Sequence, residues 1–183
     1  MSVPIISLAQ MRNWESATWA AGQTEAEVIR RVGGCVAQRA LQLTRPNDLI
    51  LLLAGKGHNG DDVRAAQEHL ADRRVVLLNV KSTAACLPQL EAELGNNPAL
   101  IIDGLLGTGL NRPLDEDWRA FITRLNGAHP IILAVDVPSG LNADTGEAQG
   151  AVVKAAITLT IGAPKPGLLR ACAVPFVGRL EVA

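Results

Sequence analysis

Five short apolar runs constrain this chain more than any other feature: LILLLA (49–54), RVVLLNV (74–80), ALIIDGLL (99–106), PIILAVDV (130–137) and AAITLTIG (155–162). A strand with one wet face alternates apolar with polar residues, whereas a run without alternation is buried on both faces. Helical patterns separate the runs, at DVRAAQEHLADR (62–73), PQLEAEL (88–94) and PLDEDWRAFITRLNG (113–127). Strand and helix in regular alternation predict βαβ units. The expected fold is therefore a three-layer α/β/α Rossmann-like sandwich around a mostly parallel sheet. The terminal VGRLEVA (177–183) offers one more strand, at an edge.

The residues ahead of the first run are patterned differently. Ser7 caps a helix through Trp19 that Gly22 ends, and Thr24 with Glu27 forms a capping box before Val28, Val32, Cys35, Val36 and Ala40 at helical spacing. With no repeat or linker, 183 residues predict one domain: a helical segment over 1–45 packed on the sheet, then the Rossmann-like core over 46–183.

Charge and cysteine usage narrow the partners. Lys and Arg number 17 against 18 Asp and Glu, for a net charge of -1 without a basic block, so neither nucleic acid nor a membrane surface is expected. Apolar windows fall short of a membrane span, and the start MSVPIISLAQMRNW lacks a charged segment before a long apolar one. Cys35, Cys86 and Cys172 are widely spaced and lack metal-ligand spacing, which predicts buried free thiols and a cytoplasmic location.

In a parallel sheet, ligands bind beyond the carboxyl ends of the strands, near the point where strand order reverses. Those ends are followed by GKGHNGDD (55–62), DGLLGTGLNRP (103–113), DVPSGLNADTG (136–146) and GAPKPGLL (162–169). The first carries G-x-G-x-x-G spacing, suited to close backbone approach to a phosphate. A dinucleotide fingerprint adds an acid about 20 residues on, where this chain has Asn79 and Lys81, and no GK[ST] closes a Walker loop. Asp61 and Asp62 at a helix start also serve simply to complement its dipole. GTGLNRP brings flexible glycines, a Thr hydroxyl and the Arg112 fork to wrap a phosphate, although a surface arginine beside a helix cap reads the same. Asp103 and Asp136 stand where strands end, and carboxylates there are either turn residues or desolvated groups that are paired or used.

Other chemistries find less support. Ser139 in VPSGL is not in a nucleophile elbow, and His69 and His129 are badly placed to serve it. No cysteine cluster or H-E-x-x-H suggests a transition metal. An oxygen-only set of Asn59, Asp103, Ser139 and loop carbonyls suits a hard, weakly held cation, an alkali ion or Mg²⁺.

GKGHNGDD, DGLLGTGLNRP, VDVPSGLNADTG and GAPKPGLL, in this order and spacing, resemble the YjeF N-terminal domain family, the NAD(P)H-hydrate epimerases. The likeness runs from MRNWESATWAAG to the end of the chain. It implies a domain that interconverts the R and S forms of hydrated NADH or NADPH, commonly as a homodimer. It also implies a functional partner, a dehydratase often fused C-terminally, that repairs the S form. Carried over residue by residue, it places substrate against His58, Asn59, Gly60, Asp61 and Asp62, against Gly107, Thr108, Gly109, Leu110, Asn111, Arg112 and Pro113, and at Asp136. It assigns one potassium ion per subunit to Asn59, Asp103 and Ser139.

The chain departs from the family pattern Asn-Asn-Gly-Gly-Asp-Gly with His58, Asp61 and Val63. If position 61 needs a positive φ, Asp61 is strained there. Asp136 is the expected catalytic carboxylate, moving a proton on hydroxyl or water. His58 is either a second acid/base or a loop histidine bonded to backbone. The alternative function is a non-catalytic nucleotide-binding or scaffolding module on the same fold. A nicotinamide-dependent dehydrogenase lacks both its ribose acid and a hydride-transfer pair.

Overall fold

The strands are β1 (Leu49–Ala54), β2 (Arg74–Asn79), β3 (Leu100–Gly104), β4 (Ile132–Val135), β5 (Ile157–Thr160) and β6 (Arg179–Val182) in a computed structural model that describes residues 3–183. Met1 and Ser2, where the expected helical segment begins, lie outside the described residues. The strands form one sheet in the order β2-β1-β3-β4-β5-β6, every pairing parallel. All of β1 is buried, which is why LILLLA shows no alternation. Ile50, Leu52 and Ala54 point to one face, where they meet Val32, Val36, Ala37 and Ala40 of helix α2 (Glu25–Leu43) and Val63 and Ala66 of α3 (His58–Ala66). Leu51 and Leu53 point to the other, against Leu90 and Leu94 of α4 (Thr83–Gly95) and Phe121, Ile122 and Leu125 of α5 (Glu116–Gly127). Side chains of this kind stabilise by roughly 1.5–3 kcal/mol each when taken fully out of water, so the three layers follow from the runs themselves. VGRLEVA supplies β6, the edge strand beside β5.

Both N-terminal caps form as the sequence predicts. Ser7 and Gln10 make a capping box on α1 (Leu8–Ala20), and Thr24 and Glu27 make one on α2. The two helices then diverge, because α2 contributes to the core while α1 buries none of its residues. The helix expected over 88–94 begins earlier, with Ser82 as cap and Pro88 absorbed inside α4.

The largest difference is at GKGHNGDD. Its expected loop is a turn at 55–57, and α3 starts at His58 with Gly57 as N-cap at φ 86°. Asp61 is therefore an ordinary helical residue and carries no strain. The outer glycines serve packing: a Cβ on Gly60 would lie 2.1 Å from the Gly55 carbonyl oxygen, and one on Gly55 would lie 1.8 Å from that of Leu105. The cysteines also depart from expectation. Cys35 and Cys86 are half-buried and Cys172 is exposed, on a short 3-10 turn from which Sγ reaches the Gly146 carbonyl at 3.2 Å and the Thr145 carbonyl at 3.9 Å.

Strand order reverses at β1, which has β2 on one side and β3 on the other. The segments leaving β1 and β3 part there and leave a crevice between them.

Candidate active site

Asp136 directly follows β4 and holds a left-handed φ of 66°. That conformation costs a non-glycine residue about 1 kcal/mol or more, and the surrounding bonds impose it. The Asp136 N–H donates to the Leu159 carbonyl at 2.8 Å. Its Oδ1 accepts from the Ile161 N–H at 3.1 Å, from the Thr160 hydroxyl at 3.3 Å, and from Lys165 Nζ in an ion pair. Lys165 is fully buried, and its other two protons go to Thr160 Oγ1 at 3.1 Å and the Ile161 carbonyl at 2.9 Å. The ammonium is thus satisfied at three acceptors, the condition under which a buried lysine is tolerated. Among the described residues nothing donates to Asp136 Oδ2, and Asp136 lines the crevice.

A second buried carboxylate lies one strand away. Asp103 Oδ1 accepts from the Ser139 hydroxyl at 2.6 Å and the Leu105 N–H at 3.1 Å, and Oδ2 accepts from the Ser139 N–H at 2.9 Å. Burial pushes the Asp103 carboxyl up, and the bonds from Ser139 and Leu105 offset this only in part. No Lys, Arg or His pairs with it among the described residues. Asn59 joins this cluster through its amide, which donates to the Leu106 carbonyl at 3.0 Å, the same oxygen that the Ser139 hydroxyl reaches at 3.2 Å. Its Oδ1 is buried with no partner. An orphan amide oxygen, a shared carbonyl and a buried carboxylate without a cation form a donor set fitted to a hard monovalent ion. Among the described residues no group of three His, Cys, Asp or Glu side chains offers a site for a more demanding metal.

The crevice between Asp136 and α1 is a cleft of about 910 Å³, at the upper end of small-molecule sites, and Asp103 and Ser139 are buried and do not line it. His58, Asn59, Asp62, Asp136 and the whole of 107–113 line it. Gly60 and Asp61 do not: Gly60 is buried against Gly55, and Asp61 turns aside to Arg64 at 2.7 Å. His58 bonds a side chain and not the backbone, its Nε2 lying 3.0 Å from Glu25 Oε1 at the α2 start, with both groups well exposed. Asp62 is half-buried, and burial, then the charges of Asp136 and Asp61, raise its carboxyl to about 7.

Comparison with known proteins then decides the family, since the one described as YjeF-related protein N-terminus matches residues 62–167. The chain belongs to that family. A relative from Achromobacter xylosoxidans (strain A8), called NAD(P)H-hydrate epimerase, is 37% identical over 98% of this chain and 96% of its own. One from Hyperthermus butylicus, called a bifunctional NAD(P)H-hydrate repair enzyme, is also 37% identical over 88% of this chain, which spans only 34% of that longer protein. A crystal structure of yeast ynu0 shares the fold at a TM-score of 0.74 and 19% identity, over 90% of this chain and 83% of that one.

Within this YjeF-related domain, Lys165 escaped the sequence reading, and Asp62, expected against substrate, was not given an acid's role. Lys165 sits in a Gly- and Pro-rich loop where a lysine reads as solvated, and Asp62 at a helix start reads as a dipole partner. A signal existed for Lys165: three aspartates converging on one rim call for a cation, and the rim loops hold just two lysines, Lys56 in GKGHNGDD and Lys165 in GAPKPGLL.

Proposed function

We propose that the chain is an NAD(P)H-hydrate epimerase, and that its reaction runs between Asp62 and Asp136. The observation that carries the mechanism is the asymmetry of Asp136, with Oδ1 held by Lys165, Ile161 and Thr160 while Oδ2 is left to the cleft. Epimerisation at the hydrated carbon requires its hydroxyl to leave with a proton as water. The ring nitrogen lends its electron pair to form an iminium. Water then returns on the opposite face and gives up a proton. Neighbouring carboxyl groups in unlike environments divide such work between acid and base.

Asp62, with its carboxyl raised to about 7, donates to the leaving hydroxyl. Asp136 Oδ2 takes the proton of the returning water, and the roles reverse for the opposite direction. A positioned acid or base of this kind contributes about 10²- to 10⁴-fold. Lys165 keeps Asp136 in its left-handed pose, and the loop at 107–113 with Arg112 receives the phosphates of the dinucleotide. Asn59, Asp103 and Ser139 would hold a potassium ion, which would tie the loops after β1, β3 and β4 together and help orient water. The S form passes to a dehydratase, the activity that bifunctional repair enzymes carry alongside this domain.

The test is direct. Purified protein is added to a mixture of R and S hydrates with an S-specific dehydratase, and the R form is followed by chromatography. R consumption should accelerate with the chain present. No acceleration would leave a binding or scaffolding module, and an unchanged rate with Asp136→Asn would remove the mechanism.

A further inference from the structure

All three tryptophans of a chain with no tyrosine line this one cleft. Trp118 has a packing role, meeting Phe121 edge to face at 6.4 Å and 66°. Trp14 and Trp19 belong to none of the buried apolar clusters. Both lie on α1, which buries no residue, and they remain 47% and 37% exposed. A large aromatic left this open forgoes the burial that stabilises a fold, so folding does not account for it.

The position of Trp14 is specific. A Cβ placed on Gly162 would stand 3.9 Å from Trp14 Cζ3 and 3.6 Å from Met11 Cε. Gly162 follows Ile161, whose N–H and carbonyl hold Asp136 and Lys165. Two bonds keep α1 there: the Ile6 N–H to the Pro164 carbonyl at 3.0 Å, and the Leu8 N–H to Asp144 Oδ1 at 3.0 Å. The chain thus stations an indole, with a methionine beside it, next to the loop that holds Asp136.

We propose that Trp14 is the platform for the reacting ring of the dinucleotide, its π face steadying the positive charge that the ring carries while the hydroxyl is absent. This rests on the epimerase reading. An aromatic face attracts a cation, and more strongly once water is excluded. The neutral hydrate gains less than the iminium, so the contribution falls on kcat and not on KM. Trp118, near the loop at 107–113, is left for the other end of the ligand.

Two measurements test this. In the coupled assay, Trp14→Ala should lower kcat about ten-fold with KM little changed, and Trp14→Phe should retain more kcat than Trp14→Leu. Equal rates for the Phe and Leu variants, or a Trp14→Ala kcat within about two-fold of wild type, would overturn the proposal. In the second, nicotinamide mononucleotide and AMP are titrated separately against tryptophan emission. The mononucleotide should quench wild type and lose most of that effect in Trp14→Phe, while the response to AMP stays unchanged. Quenching by the mononucleotide that survives Trp14→Phe, or none in wild type, places the ring elsewhere. Absence of wild-type turnover strikes the epimerase reading itself, and the fragment titration still reports where the ring lies.

Discussion

Lys165 Nζ and Asp136 Oδ1 form an ion pair between two strand-end loops, the lysine fully buried and the aspartate in a left-handed conformation. Removing one member leaves the other charge in low dielectric, which typically costs about 3–5 kcal/mol, whereas removing both costs less than the sum. Lys165→Met and Asp136→Asn should therefore each lower the urea midpoint markedly, and the double variant should recover part of the loss. Strict additivity in that cycle would show that the pair is not coupled. Activity separates the members, since Asp136→Asn should lose at least about 100-fold in kcat through its chemistry.

Asp62 makes stability depend on pH in a defined direction. Its carboxyl binds a proton near 3.8 ordinarily and near 7 when folded, through burial and the charges of Asp136 and Asp61. Folding therefore takes up a proton between those values. The contribution is fully present below the lower value and is lost as pH rises through the upper one. Asp62→Asn removes that slope and should overtake wild type above neutrality by roughly 4 kcal/mol at most, less whatever solvent screening of this half-buried group removes, measured by urea unfolding at acid and alkaline pH. Parallel curves for the two proteins would rule out a raised Asp62. The same titration should depress wild-type kcat on the alkaline side, as the acid loses its proton.

How much of this was legible follows from what each residue must satisfy. The double-sided burial of β1, β3 and β4 leaves unalternating runs, and the Ser7 and Thr24 boxes leave a spaced Gln or Glu, so both are written locally. The start of α3 is not. Gly57 makes no side-chain cap bond, and His58, Asn59 and Gly60 are weak helix formers that only the close approach to Gly55 and Leu105 holds in a helical turn. Asn59, Asp103, Ser139 and Asp136 could be singled out because oxygen-bearing side chains at or just after strand ends already point to a rim. The burial of Lys165 depends on partners 4, 5 and 29 residues away in sequence, which no local pattern encodes.

His58 distinguishes surface electrostatics from catalysis. Its pairing with Glu25 is exposed on both sides, and such pairs contribute about 0–1 kcal/mol. His58→Asn should leave the melting temperature within a degree or two and kcat within about three-fold. A loss of about 100-fold in the coupled assay would instead give His58 the acid/base role.

Potassium should stabilise through the orphan Asn59 oxygen and the unpaired Asp103. A ligand that binds only the native state adds about 2.7 kcal/mol at a hundred times its Kd. Replacing potassium with tetramethylammonium at constant ionic strength should lower the wild-type melting temperature and leave Asn59→Ala unmoved. Identical melting in both salts would exclude the ion from this cluster.

The glycines of the rim separate packing from flexibility. A Cβ on Gly60 meets the Gly55 carbonyl oxygen at 2.1 Å, and because the oxygen is a backbone atom and the Cβ is fixed directly to Cα, no rotamer change relieves the clash. Overpacking of this kind costs about 1–3 kcal/mol or more. Gly109, in the loop that faces the ligand, has nothing within 4 Å of the same construction and no positive φ. Gly60→Ala should therefore unfold at distinctly lower urea while Gly109→Ala unfolds with wild type, and any loss in Gly109→Ala should fall on KM. If the two behaved alike in unfolding, the close approach of α3 to the β1 exit would not be what position 60 requires.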